Sequence, residues 1–467
     1  MTARPAPGPG PGPGVVWFRR DLRLGDNPAL EAAVGAHREV VTLFVWDPRL
    51  TGPAGHPRLA FLRGCVEALG RSLGGSLVVR RGDPARVVPK VAAGTGARAV
   101  YCAEDFGPYG RARDERVARA LRRHGARLVR VGSPYAVAPG RLLTGQGQPY
   151  RVFAPYWRAW LAHGWPSPTG RPALGRALLG LPSDPPPPRW ATPARLPDPG
   201  EEAAWRALRA FVASGVDGYA DQRDHLGVDT TSRLSAYLRF GCLHPRQLLA
   251  HLDLSLPGHR SFARQLCWRE FYADVLFHRP DSARHPYQDG WLAELADQGP
   301  LDDGRFRSWV EGRTGYPVVD AGMRQLQAEA WMHNRARMIA ASFLVKDLGI
   351  CWQAGARWFM RCLVDGDLAS NQHGWQWVAG TGPSPLPYPR LLNPTVQASR
   401  FDPHGSYVRR WVPELAGLGP GQLRRPWPGG RLLSAAYPDP IVDHDQRRRE
   451  LLSRYRAARS SAGPGES

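Results

Sequence analysis

The sequence predicts a doubly wound parallel α/β domain, a long linker and then an all-helical domain. Three observations carry that expectation. Short apolar runs, "VVWF" (15–18), "VVTLFVW" (40–46), "SLVVRRG" (76–82) and "ARAVYCAE" (97–104), alternate with helical stretches such as "RLAFLRGCVEALGRSL" (58–73). Strand-helix alternation builds a parallel sheet with helices on both faces and places ligands at the carboxyl ends of its strands. Next, residues 164–200 turn proline-rich, with "WPSPTGRP" and "SDPPPPRWATP", which is linker composition. Beyond residue 201 strand patterns stop and helical periods take over, as in "YPVVDAGMRQLQAEAWMHNRARMIAASFLVKDL" (316–348). The expected organisation is a disordered Pro/Gly tail (1–14), an α/β domain (15–133), a linker (134–203), a helical domain (204–458) and a flexible tail (459–467).

At 467 residues the chain can bury two or three cores. Lysine plus arginine number 62 against 41 acidic residues, a formal charge of +21. Arginine supplies the excess, since Lys90 and Lys346 are the only lysines, and part of it reflects GC-rich coding. A charge this positive favours a polyanion, with nucleic acid ahead of an anionic membrane surface. The six cysteines form no CxxC pair and no Cys/His ladder, so neither a metal site nor a disulfide scaffold is expected. With no apolar run of about 20 residues and no hydrophobic leader, a cytoplasmic protein with no membrane partner is expected.

Four stretches carry candidate chemistry. In "DTTSRLSAYLRFG" (229–241), Thr231, Ser232 and Ser235 precede an amphipathic helix and can cap it, or serve a diphosphate at its N-terminus. Tyr219, upstream, reads as core packing. "SFARQLCWREFYADVL" (261–276) sets Trp268, Phe271 and Tyr272 around Arg269 and Glu270, which suits base stacking and phosphate pairing but equally an ordinary core face with an internal ion pair. "WMHNRARM" (331–338) adds Asn334, Arg335, Arg337 and Met338 to an apolar helix, with His333 read as structural. Arg337 needs a carboxylate, because a buried unpaired charge is costly, and Asp365 or Asp367 of "VDGDLASNQHGWQW" (364–377) can supply it.

Taken together, "WFRRDLRLGDNPAL", "TSRLS", "WREFY", "TGYPVVDAGMRQL", "WMHNRARM" and "DGDLASNQHGWQW" resemble the photolyase/cryptochrome family, from about residue 15 to 444. The likeness is greatest to class I bacterial enzymes that repair cyclobutane pyrimidine dimers in DNA. It implies an N-terminal antenna domain and a helical domain holding a U-shaped FAD. Light would drive an electron from excited reduced FAD to a flipped-out dimer. A cryptochrome photosensor without repair activity and a (6-4) photolyase are the alternatives. Asn371 and the short C-terminal region weigh against the former, and the lack of paired active-site histidines against the latter.

By the same resemblance Tyr219, the run Thr231, Ser232, Arg233, Leu234 and Ser235, then Trp268, Asn334, Arg337, Asp365, Gly366, Asp367 and Asn371 hold FAD. Asp365 would pair with Arg337, and Asn371 would face flavin N5 as a neutral amide that supplies no strongly acidic proton. Trp268 and Trp377 match an aromatic wedge for the flipped dimer, touched also by Met338, with Gln265, Arg269, Tyr272 and Asn334 along the pocket. Arg223, Arg335, Arg390 and Gln397 match groups facing the DNA backbone or the lesion rim. Flipping costs least at a damaged step, which contributes selectivity.

Three departures stand out. Gln265 replaces the family's usual glutamate, keeping an acceptor and gaining donors, so repair should survive with altered efficiency. Trp375 and Trp352 match inner members of a tryptophan electron chain whose outer position is Gly299 here. Gln372 and His373 stand where relatives often carry Asn and Gly, a change expected to bear little on the flavin. For the antenna, "EDFGPYGRARDERV" (104–117) resembles 8-hydroxy-5-deazaflavin-binding relatives more than those binding 5,10-methenyltetrahydrofolate. UV-damaged DNA is the implied partner, and the chain is expected to act as a monomer.

Overall fold

The structure is a computed structural model and describes residues 12–174, 178–288, 303–383, 391–427 and 434–461. Five strands, β1 (Gly14–Phe18), β2 (Val40–Trp46), β3 (Leu77–Arg81), β4 (Ala99–Cys102) and β5 (Arg127–Arg130), form one sheet in the order β3-β2-β1-β4-β5. Every pairing is parallel, with Gly14 opposite both Val40 and Ala99. The four apolar runs of the sequence are β1 to β4, and β5 adds an edge. β1 and β2 are buried along their whole length, which is why they read as unbroken apolar runs rather than alternating ones.

The two sheet faces bury different cores. On one, Val15, Trp17, Leu43 and Val100 meet Val88, Val91, Val117 and Leu121 from the helices Pro84–Thr95 and Pro108–Arg122. On the other, Phe18, Phe44, Trp46 and Tyr101 join a core that continues through the linker into the helical domain, taking in Tyr156, Trp160, Tyr237, Phe240 and Phe271. The linker is therefore more than a tether. It holds a helix at Phe153–His163, and its backbone is fastened by the helix Pro257–His278. Glu270 accepts from the Ala136 and Val137 amides at 2.6 and 3.0 Å and from Trp160 Nε1 at 2.7 Å, while Asp274 accepts from the Gly140 amide at 2.7 Å. Glu270 thus anchors the linker rather than pairing along its own helix.

The helical period over 316–348 is divided. Helix Pro317–Glu329 ends at Ala330, whose φ of 48° is left-handed and whose carbonyl accepts from the Val364 amide at 2.8 Å. A new helix, Asn334–Ser342, starts under a His333 cap, with Nδ1 accepting from the Arg335 amide at 3.1 Å. His333 is structural, as expected. A π-helical turn, Phe343–Asp347, follows. All six cysteines are free, with the Cys65 and Cys242 sulfurs 3.6 Å apart. Among the described residues no helix is long and apolar enough to cross a membrane, and no cluster of side chains could hold a metal ion. Helix His444–Ser461 runs three residues into the segment expected to be a tail.

Candidate active site

The acidic loop at 365–367 is held from several directions. Asp367 caps the helix Leu368–Ala379, its side chain accepting from the Ser370 amide at 3.2 Å. Arg20, just past the end of β1, reaches across to Asp367 Oδ2 at 2.9 Å, and Arg239 Nε lies 4.0 Å from the same oxygen. Arg239 also donates to the Gly366 carbonyl at 2.8 Å. Burial opposes ionisation of Asp367, but Arg20, Arg239 and Arg269 outweigh it and hold the carboxyl far below its usual range. Arg58, from the helix His56–Ser72, donates to the Met360 carbonyl at 2.7 Å and lies where a Cβ on Gly366 would fall. Arginines of the sheet domain thus set the loop of the helical domain. The "WFRRDLR" motif holds Arg20, but nothing local in the sequence signals its target.

Asp365 pairs with Arg337 at 2.8 Å, as the cost of an unpaired buried arginine required. Its other oxygen, Oδ1, is buried without a partner among the described residues.

"TSRLS" corrects one expectation. The helix that follows, Ser235–Phe240, is only six residues long, starts after Leu234 and has no side-chain cap. Thr231, Ser232 and Ser235 therefore do not cap it. Ser232 Oγ accepts from the Leu234 amide at 3.4 Å, while Thr231 Oγ1 and Ser235 Oγ are buried with no partner among the described residues. Arg233 has φ 50° and turns its side chain to Asp229 at 2.9 Å and Glu329 at 3.1 Å, over the Trp331 ring. Leu234 is buried in the core, and Tyr219 packs edge-on against Phe211 and Phe262. The side chains of Arg233 and Leu234, both matched to the cofactor site, are engaged in ion pairing and in packing.

A buried hydroxyl or carboxylate oxygen without a partner costs about 1–3 kcal/mol in a dry interior. Two hydroxyl donors and a carboxylate acceptor left open in this way suit a group that carries both phosphate oxygens and N–H or O–H hydrogens. FAD is such a group. Asn371, Trp268 and Tyr219 add an amide and aromatic surface.

The residues expected to face DNA are placed as follows. Trp268 is half-buried, stacked on Phe153 with centroids 3.7 Å apart, and meets Tyr272 at 5.3 Å, which in turn stacks on His373 at 5.5 Å. Trp377, Met338 and Gln265 are half-buried and Asn334 is exposed, its Nδ2 3.7 Å from Met338 Sδ. Gln265 Nε2 donates to the Ser261 carbonyl at 3.3 Å, and Gln397 Oε1 is buried without a partner among the described residues. Arg223 lies over the Tyr219 ring at 5.7 Å, whereas Arg335 pairs with Asp224 at 2.8 Å over the Phe401 ring. Arg269 departs from expectation. Its guanidinium donates to the carbonyls of Pro134 and Leu238 at 3.1 and 3.2 Å and covers the Tyr135 ring, so it holds the linker rather than facing DNA. Arg390 and Gly299 lie outside the described residues.

Trp375 and Trp352 are both buried. Trp375 meets Phe359 at 4.9 Å and Trp309 edge-on at 6.2 Å, and Phe306 connects Trp309 (5.8 Å) to Trp358 (6.4 Å). Gln372 and His373, expected to matter little, are tied into the site. Asn371 Nδ2 donates to Gln372 Oε1 at 2.9 Å, and buried His373 contacts Ser282 Oγ at 2.9 Å. Burial pushes His373 down to about 4, so it is neutral near pH 7.

In the sheet domain the strand order reverses between β1 and β4, and in folds of this kind ligands bind in the crevice beyond the carboxyl ends at such a point. Arg19 pairs with Asp114 at 2.6 Å, and Arg113 with Asp105 at 3.1 Å and Asp114 at 2.8 Å. Tyr109 donates to Asp47, Arg116 pairs with Asp83, and Trp17 lies under both Arg19 and Arg113. Burial works against Asp105 ionising, but Arg113, Arg19 and Arg20 hold it at about 2.

A doubly wound domain that shares a core with a helical domain, the latter holding open buried hydroxyls, is the architecture of a two-domain nucleotide-cofactor protein. Residues 14–173 match the family model for DNA photolyase, and residues 262–457 match that for the FAD binding domain of DNA photolyase. A deoxyribodipyrimidine photo-lyase of Streptomyces griseus is 44% identical over 446 residues, covering 92% of this chain and 96% of the relative. Among solved structures, a bacterial class III photolyase from Agrobacterium tumefaciens superposes with a TM-score of 0.87 at 35% identity, covering 98% of this chain and 100% of that one. A cryptochrome from Synechocystis sp. PCC6803 gives 0.85 at 28% identity, covering 95% and 99%. The chain belongs to the DNA photolyase family. These likenesses do not separate class I from class III.

Proposed function

We propose that the protein is a light-driven lyase that splits cyclobutane pyrimidine dimers in damaged DNA, with FAD in the helical cradle. The observation that carries the cofactor assignment is the match of residues 262–457 to the FAD binding domain of DNA photolyase, and Thr231 Oγ1, Ser235 Oγ and Asp365 Oδ1 are buried and open for such a ligand among the described residues. Thr231 and Ser235 would donate to the diphosphate, Asp365 would accept from the flavin or ribose side, and Asn371 would stand beside the flavin. Bound FAD would supply the photoexcited electron donor. Around it this chain excludes water with Trp375, Phe359 and Trp309, and offers Trp268, Tyr272, Trp377 and Met338 as a surface for an extruded dimer. Gln265 and Asn334 would hydrogen-bond the bases, and Arg223, Arg335, Arg390 and Gln397 would meet the backbone. Trp375 and Trp352 would carry electrons to FAD during photoreduction.

The crevice beyond β1 and β4 is assigned to an antenna chromophore, 8-hydroxy-5-deazaflavin in preference to 5,10-methenyltetrahydrofolate, with Tyr109 of "PYGR" and the nearby Arg113 at its edge. The reading extends to a cytoplasmic monomer. The large exposed apolar side chains among the described residues, such as Leu50, Leu143, Leu256 and Val396, come from separate segments. The decisive experiment records the absorption spectrum of the purified protein and illuminates its reduced form with DNA carrying either lesion. A flavin spectrum with dimers reversed and (6-4) products untouched is expected. Loss of no dimers under light would leave the photosensor reading, and reversal of (6-4) products alone would move the protein to that class.

A further inference from the structure

Gln372 stands where the sequence offered no role, and its neighbours give it one. Gln372 Nε2 donates to the Ala283 carbonyl at 2.6 Å. Asn371 Nδ2 donates to the Ala356 carbonyl at 3.1 Å and to Gln372 Oε1 at 2.9 Å. Chemistry fixes the direction of both amides. A backbone carbonyl has no hydrogen to give, so the amide group facing it must be NH2. That holds at Ala283 and again at Ala356. Gln372 must therefore turn its oxygen toward Asn371, and Asn371 must spend both amide hydrogens on Ala356 and Gln372. Asn371 Oδ1 is left over. No hydrogen bond reaches it among the described residues.

We propose that Gln372 is a positioning residue that locks the Asn371 amide oxygen toward the bound flavin, so that Asn371 accepts there and cannot donate. The inference rests on the reading of the cradle as an FAD site with Asn371 beside N5. Reduced flavin carries a hydrogen on N5, and oxidised flavin carries a lone pair. An acceptor-only neighbour binds the first better than the second, and that difference is what shifts the equilibrium between them. Without Gln372, one amide hydrogen of Asn371 loses its partner. The amide then turns more freely and can offer NH2 to oxidised N5. The anchoring turn, Pro280–Ala283, also holds His373 through Ser282, so the lock is braced by packing apart from the flavin.

Redox titration of the FAD-loaded protein tests this. Gln372→Met keeps the length of the side chain and removes both polar arms, and Gln372→Leu serves as a second variant if the first folds poorly. A neutral hydrogen bond is worth about 1 kcal/mol, so the oxidised fraction at fixed potential should rise about fivefold to tenfold. Tenfold is a fall of about 30 mV for a two-electron couple. In an Asn371→Leu background the same Gln372 substitution should add nothing, since its effect runs through the amide. A Gln372 shift of equal size with and without Asn371, or no shift at all while Asn371→Leu moves the potential, would overturn the positioning role alone. A protein that binds no FAD, or whose potential ignores Asn371→Leu, would instead sink the placement of Asn371 and this inference with it.

Discussion

The crevice beyond the carboxyl ends of β1 and β4 and the cradle among the helices are both rich in charge, yet they balance it differently. In the crevice Arg19, Arg113 and Arg116 have each found an anion within the protein, pairing with Asp114, Asp105 and Asp83. Even the Tyr109 hydroxyl is spent, on Asp47. In the cradle the charges are paired, but Thr231, Ser235 and Asp365 keep buried polar atoms open. A site whose polar groups are already satisfied is stable empty, and a ligand must compete with existing contacts. A site with open groups gains from its ligand what its own side chains withhold. On the proposed reading, the open groups belong to an essential cofactor in the cradle and the paired ones to an accessory chromophore in the crevice.

The largest expected effect lies in the charge balance of the cradle. Asp367→Asn removes the carboxylate that faces Arg20, Arg239 and Arg269, and breaking a buried pair of this kind costs about 3–5 kcal/mol, read by urea unfolding of the apoprotein. The folded pKa of Asp367 is depressed, so its contribution is present above the unfolded value of about 3.9 and fades as pH falls below it. The gap between wild type and Asp367→Asn should therefore be flat from about pH 9 to 5 and shrink below about 4.

Ligand addition sharpens the comparison directly. FAD at a thousand times its Kd should stabilise the protein by about 4 kcal/mol in urea titrations. The antenna chromophore at the same concentration should add less than about 2.7 kcal/mol, because it binds more weakly in a crevice already satisfied. An antenna shift equal to that of FAD would erase the distinction drawn here.

Smaller still are the hydroxyls. Thr231→Val and Ser235→Ala should each weaken FAD binding about tenfold, while the apoprotein, relieved of an open buried hydroxyl, gains about 1 kcal/mol or more. Fluorescence titration of FAD reads the first and thermal unfolding the second. At the rim, Arg335→Ala should lower the slope of log affinity against log salt for damaged DNA by about one unit. Arg269→Ala should leave that slope alone and destabilise the fold, since its donors serve the carbonyls of Pro134 and Leu238. A salt slope that moves with Arg269 instead would return it to the DNA face.

What was legible in the sequence came from periodicity and from local chemical need. Strands β1, β2 and β4 announced themselves because both faces of a parallel sheet are buried, so apolar side chains run without a break, and β3 showed its apolar start before its arginines. That Arg337 needs a carboxylate at 365 or 367 followed from the cost of an unpaired arginine and the resemblance chose Asp365, while His333 read as structural without its cap being foreseen. Where several partners were open to a group, tertiary structure chose. Arg269 turned inward to linker carbonyls, Glu270 fastened amides more than a hundred residues away, and the hydroxyls of "TSRLS" gave up capping to stay open in the cradle. Arg20 and Arg58 reached the 365–367 loop only because the sheet and helical domains share a core. The sequence by itself determined which segments become strands and helices and which cofactor-binding family they resemble, because burial patterns and motifs are local. Only the tertiary structure decided which donor meets which acceptor, because a hydrogen bond depends on an ångström and on direction, and residues distant in the chain acquire both only on packing.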